Sequence, residues 1–276
     1  MDKLIYFSED YKINKTMDTT LEINEVSADD TRKSQELIMR KAINYLFDCA
    51  DSYDFYTESE DEQRDSIESY INSFADVSIN EIVSQAQSEA ESFKKSNSIY
   101  FWIRIKFAEY TARRIYLYLL KYINIEEKEV TPIVQLATEL GFNVFLRRLN
   151  RKHCGKIKIT KKGAGEYEKT IILNQREELG HIRFVLAHEL GHYIFSYSSN
   201  QECFENYYIK NSHNDIDEIM VNRFAAELLM PRDLFVKKYN QIAKDTNDIR
   251  FTICYLSRLF KTSTKSVSKR IKEVIL

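Results

Sequence analysis

The chain has 276 residues, 43% of them hydrophobic and 30% charged, with a formal net charge of −2 at pH 7. That length is enough for one large domain or two ordinary ones with a buried core, and the composition excludes a wholly disordered chain. Six glycines and two prolines point to long helices and few tight turns.

The N-terminal stretch MDKLIYFSEDYK lacks the uninterrupted apolar core of a secretion signal. The apolar run Ile115–Leu120 is too short to cross a bilayer, so no membrane partner is expected. Cys49, Cys154, Cys203 and Cys254 are scattered without a CxxC pair, as expected of reduced thiols in a cytoplasmic protein. Charge is uneven. Residues 1–130 hold 16 Lys and Arg against 26 Asp and Glu, a net −10, whereas residues 131–276 hold 24 against 16, a net +8. The asymmetry suggests two regions with different jobs, two halves attracted to each other, or simply two solvated surfaces of different composition.

Residues 1–26 are polar, with weak strand character at Leu21–Val26, and Ser27 starts an amphipathic helix reaching about residue 50. An acidic stretch, 51–66, runs into further helix, and another helix is expected over 79–95. Over 98–123, Phe101, Ile105, Ala108, Ala112, Ile115, Leu119 and Tyr122 recur at spacings of three and four, the stripe of a long packed helix. Its aromatic residues read as core rather than as a stacking platform for nucleic acid. A boundary is expected near 124–130, so that 1–126 forms an all-α N-terminal region. Thr131 and Pro132 then start a helix with Thr131 as cap, and Gly141 ends it in the left-handed conformation. Strands are expected at Phe142–Leu149, Lys156–Thr160 and Lys169–Leu173, then a helix over 180–195, a polar loop of about twenty residues, and a helix over 215–229 that stops at Pro231. The tail, 232–276, reads as helical. The fold class is therefore α+β: mostly helical, with a small sheet packed on the 180–195 helix.

That helix carries FVLAHELGHYIF at 184–195. His188 and His192 lie one turn apart on one face, where two neutral imidazoles can share a metal ion. Glu189 projects about 100° away, out of the ligand set but within reach of a water on the metal. A catalytic zinc site takes three protein ligands and leaves one position open. Downstream donors for the third are Glu202, Glu205, His213, Asp215, Asp217, Glu218 and Glu227. A rigid helix places a ligand better than a loop, and Glu218, Asn222, Ala225 and Leu229 form one face of the 215–229 helix. Asn222 is placed to accept the outer N–H of a ligand imidazole. Ala225 and Ala226 are small enough to pack on Gly191, and Asp217 and Glu227 are expected to point to solvent.

RFVLAHELGHYIF at 183–195, followed by EIMVNRFAAELLMP at 218–231, resembles the ImmA/IrrE family of zinc metallopeptidases, with Val221 where the family usually has alanine. ATELGFNV at 137–144 and IILN at 171–174 are similar to the family's first helix and strand and to the strand before its zinc helix. The resemblance spans about residues 127–231, with the tail as an expected extension. It implies one Zn2+ per chain held by His188, His192 and Glu218, with Glu189 as catalytic base. It also implies a protein substrate, in such families a DNA-binding repressor. Tyr193, His181 and His213 are candidate donors to the oxyanion that peptide hydrolysis develops. In the tail, YLSRLFKTSTKSVSKRIKEVIL resembles a helix-turn-helix, and Lys261, Lys265, Lys269, Arg270 and Lys272 suggest weak DNA contact. The expected function is an intracellular regulatory zinc endopeptidase. The competing expectation is a regulator that uses the zinc core as a scaffold and binds a repressor or DNA without cutting.

Overall fold

A computed structural model describes residues 77–95, 101–120, 129–163, 165–198, 201–209, 215–246 and 248–275. The strand at Leu21–Val26, the helix from Ser27, the acidic stretch 51–66 and His213 lie outside the described residues. All described residues fall within one compact unit. Among them are eight helices and a four-stranded mixed sheet, the expected α+β class.

Helix α1 (Ile79–Lys95) opens with a reciprocal cap: the Ser78 N–H donates to the Glu81 carboxylate at 2.8 Å and the Glu81 N–H to Ser78 Oγ at 3.2 Å. Helix α2 (Phe101–Leu120) buries Ile105, Ala108, Ala112, Ile115 and Leu119, the stripe read from the sequence. Its Phe107 meets Phe195 edge to face at 5.8 Å, a core contact rather than a stacking surface. Both helices share one hydrophobic core with the elements that follow residue 127.

Thr131 does not cap the next helix, α3 (Ile133–Glu139). Its fully buried hydroxyl donates instead to the Leu228 carbonyl at 2.7 Å, satisfying an oxygen left open at a helix C-terminus. Strands β1 (Phe142–Arg147), β2 (His153–Lys161) and β3 (Tyr167–Asn174) come where expected. The polar loop after the next helix, α4 (Leu179–Phe195), proves to contain a fourth strand, β4 (Cys203–Ile209). The sheet order is β1-β3-β2-β4, with β1 parallel to β3 and β2 antiparallel to both its neighbours. Helix α4 packs across β2, β3 and β4 on one side and α1, α3 and α5 (Ile216–Leu229) on others. All residues from Val185 to Phe195 are buried, so this part of α4 is enclosed all round, as a central helix is.

Gly191 of α4 lies against Val221 and Phe224 of α5, where an added Cβ would stand 2.8 Å and 3.2 Å from their side chains. The atoms nearest that carbon belong to Val221 and Phe224 rather than to the Ala225 and Ala226 expected from sequence.

The tail forms α6 (Arg232–Asp245), α7 (Ile249–Leu259) and α8 (Thr264–Val274) around a second small core of Met230, Phe235, Ile242, Leu256, Phe260, Val267 and Ile271. Helices α7 and α8 are capped by Asp248 and Ser263 and joined by a short turn with Lys261 at φ 47°. Two charges differ from expectation. Glu227 is not solvated: it is 1% exposed, bonded to Arg113 of α2 at 2.8 Å and paired with Arg270 of α8. Arg270 is likewise 1% exposed, so it adds nothing to a basic surface. Both follow from the packing of α5 between α2 and the tail, which leaves the carboxylate no route to water.

Burial alone would raise the Glu227 pKa, but the charges of Arg270 and Arg113, the Arg113 hydrogen bond and the Arg232 N–H outweigh it and bring it to about 2. A carboxyl held below its ordinary 4.5 stabilises the fold fully above that pH and loses the contribution as pH falls towards about 2. Glu227→Gln is expected to cost about 3–5 kcal/mol at neutral pH, since it strands two guanidinium groups. It is also expected to flatten the loss of stability below pH 4.5, measured by urea unfolding across pH.

Candidate metal centre

Helices α4 and α5 bring His188, His192 and Glu218 together, with one donor atom of each within 4.8 Å of the others. Glu218 Oε1 is 3.2 Å from His192 Nε2, and Glu218 Oε2 is 3.5 Å from His188 Nε2. His188 is fully buried and His192 is 3% exposed. Asn222, one turn after Glu218, sets its Oδ1 3.1 Å from His188 Nδ1. An amide oxygen only accepts, so Nδ1 carries the proton and Nε2 presents its lone pair to the centre. The Nε2 atoms of the two imidazoles stand 2.9 Å apart. Burial drives the His188 pKa well below 6.5, and the neighbouring His192 and His181 lower it further, against the Asn222 hydrogen bond. The ring is therefore neutral, the form that ligates metals.

Glu189 is fully buried beside this cluster, and neither carboxylate oxygen has a hydrogen-bond partner of good geometry. Burial pushes its pKa well up; the Tyr208 backbone N–H opposes the shift and the Glu218 charge adds to it. Glu218 Oε2 is likewise buried without a hydrogen bond.

The other expected donors are engaged elsewhere. Glu205 is exposed and pairs with Lys156 at 2.6 Å, Asp217 pairs with Arg104, Glu202 and Asp215 are exposed, and Glu227 is held by its arginines. Tyr193 is engaged on another side: its hydroxyl accepts from Lys169 Nζ at 2.9 Å and its ring packs edge to face on Phe142. It follows His192 by one residue, and that step along a helix turns it towards β1 and β3. His181 lies near the site, its ring 6.2 Å from that of Tyr208.

Sequence reading missed Tyr208. It sits on β4 with its ring 4.1 Å from the His188 ring. Burial and the nearby Cys154, Glu218 and Glu189 raise its pKa to about 12, so at neutral pH it keeps a proton to donate. The signal was present: Cys203–Ile209 alternates between exposed and half-buried positions, with Phe204, Asn206 and Tyr208 on the inner side.

Residues 137–272 match the protein family Peptidase_M78, described as the IrrE N-terminal-like domain. This segment belongs to the ImmA/IrrE family of metallopeptidases. The IrrE-like domain begins ten residues later than the resemblance suggested and takes in nearly all of the tail. A search of curated proteins gave no match to the chain.

The residues of the IrrE-like domain fit a bound cation. Two imidazole Nε2 atoms 2.9 Å apart, that of His188 unprotonated, converge with a carboxylate oxygen that has no hydrogen bond. Such groups are costly to bury unless something positive stands among them. Two nitrogens and one oxygen are a donor set suited to Zn2+.

Strand β2 closes the site from the sheet side. A Cβ on Gly155 would stand 2.4 Å from Val185 Cγ1 and 3.0 Å from Glu189 Oε1. Valine is stiff about χ1 and cannot step aside. Gly155→Ala is expected to cost about 1–3 kcal/mol of stability by overpacking. Gly163→Ala, with nothing within 4 Å of the new carbon, should stay within about 0.5 kcal/mol. Thermal or urea unfolding of the two variants makes the comparison.

Proposed function

We propose that the chain is a zinc-dependent endopeptidase of regulatory type, with His188, His192 and Glu218 as zinc ligands and Glu189 as catalytic base. The observation that carries this reading is a buried carboxylate, met only weakly by the Tyr208 backbone N–H, beside three converging donors. A scaffold needs the three donors but has no use for Glu189. When bound, Zn2+ supplies a Lewis acid that polarises the scissile carbonyl and brings the pKa of water to about 7.

Glu189 takes the proton of the attacking water and passes it to the departing amine. The high pKa given by burial suits the second half of that task, and a nearby cation favours the ionised form needed for the first. Asn222 holds the His188 ring in the tautomer that keeps Nε2 unprotonated. Tyr208, in place of Tyr193, is the donor for the oxyanion, since it stays protonated and its ring lies on His188. Strand β4 pairs only with β2 among the described residues, which leaves its outer edge for a substrate segment in extended form.

A repressor or similar regulatory protein is the substrate class that the family resemblance favours. No helix of the described residues is long and apolar enough to cross a membrane. Lys265, Lys269 and Lys272 are exposed on α8 and support a weak DNA contact by the tail, now without Arg270.

Two measurements test the assignment. Metal analysis of the purified chain is expected to give about one strongly held zinc per chain, lost in Glu218→Ala; undiminished zinc in that variant removes Glu218 from the ligand set. Co-expression with a repressor encoded nearby, followed by mass spectrometry, should show fragments with the wild type. Glu189→Gln should keep its zinc and lose cleavage about 10²–10⁴-fold. Derepression by the Gln variant, with the partner intact, would establish the scaffold reading instead.

A further inference from the structure

A second group of side chains of metal-ligating type converges near Tyr208. Cys154, Glu177 and His181 each offer a donor atom, and these atoms lie within 4.8 Å of one another. Their convergence has a structural cause. The pairing of β2 with β4 shifts register between His153 and Gly155, so Cys154 is the extra residue of a β-bulge. Bulges re-aim side chains and concentrate beside functional sites. The thiol side chain is buried, 1% exposed.

Glu177 and His181 come from the turn between β3 and α4 and from the first turn of α4. Their side chains are 12% and 22% exposed, with Glu177 Oε2 3.8 Å from His181 Nε2. Asn174, 1% exposed, fixes the surroundings. It donates to the His153 carbonyl at 2.7 Å, and its side-chain oxygen accepts from the N–H groups of Leu149 and Arg176. The bulge and the turn are thereby tied to one buried amide.

We infer that Cys154, Glu177 and His181 form a second metal site, for a thiolate-accepting ion of the Zn2+ or Co2+ class. Sulfur, nitrogen and carboxylate oxygen together select borderline-soft transition ions over Mg2+ or Ca2+. Tetrahedral bonds of about 2.0–2.3 Å set ligand atoms about 3.3–3.7 Å apart. The 3.8 Å between Glu177 and His181 is close to that, and small side-chain rotations bring the set together. Binding displaces the Cys154 thiol proton to solvent, leaving thiolate on the metal. His181 and His188 are seven residues apart on α4, about 10 Å along the helix. That is beyond the roughly 4 Å of ions sharing one bridging oxygen, so the two sites share no ligand, although His181 acts electrostatically on His188. Tyr208 lies near both, its ring 6.2 Å from His181 and 4.1 Å from His188.

The test is titration of metal-free, full-length protein with Co2+, following the thiolate-to-cobalt charge-transfer absorption. His188, His192 and Glu218 include no sulfur, so the band reports the second site alone. The expected result is a band that saturates once both donor sets are filled, at about two Co2+ per chain in the wild type and about one in His188→Ala, and that vanishes in Cys154→Ser. His181→Ala should weaken the Co2+ affinity read from the band at least about tenfold. Absence of the band in the wild type, or its survival in Cys154→Ser, overturns the inference by assigning any sulfur ligation to another cysteine. If Cys154→Ser does not fold, Glu177→Ala and His181→Ala decide, and unchanged affinity in both overturns the site.

Discussion

The structure depends on one constraint: helix α4 is enclosed on every side, yet carries two imidazoles and a carboxylate along its buried length. Hydrocarbon around such groups is tolerable only if each is matched by a hydrogen bond or a charge. The protein arranges this asymmetrically. His188 receives Asn222 at its outer nitrogen, and Glu218 is brought to both inner nitrogens. Glu189 is left with nothing of good geometry. The rest of the domain serves that arrangement. Strand β2 comes close enough that only glycine fits opposite Glu189, and α5 presses valine and phenylalanine into the notch at Gly191.

Much of this was legible in the sequence because it is periodic. Imidazoles four apart, a carboxylate and an amide four apart, and the apolar stripe of α2 are helical spacings, and they survive folding unchanged. What was not legible came from contacts between distant segments. Thr131 sits where a local cap is expected, but a carbonyl 97 positions away had a stronger claim on its hydroxyl. Glu227 looks like a solvated charge on its own helix and is a buried one only because Arg113 and Arg270 arrive from either side. Strand β4 was lost for a different reason. Its outward residues include Cys203, Tyr207 and Ile209, so the polarity alternates more weakly than the burial. Tyr208 went with it.

The tail is bound to the IrrE-like domain by more than its own small core. Arg223 of α5 bonds Glu273 of α8 at 2.9 Å, and Arg270 donates to the Met230 carbonyl at 3.1 Å as well as to Glu227. An added carbon at Gly180, at the start of α4, would stand 2.5 Å from backbone of Thr262. The turn between α7 and α8 therefore rests directly on the helix that bears His188 and His192. Any partner that engages α8 touches an element fastened to the helix of Glu218 and joined to the turn that rests on the helix of His188 and His192.

The Glu227 pairing also changes what it means to shorten this chain. Arg113 lies before the family-matched segment and Arg270 within its last three positions, yet both neutralise one carboxylate midway between them in space. A protein cut back ahead of Arg270 does not merely lose a terminal helix. It keeps an anion in a pocket shaped for two cations, on the same helix as Glu218. Residues just outside and at the edge of the family-matched segment are therefore part of its electrostatic interior.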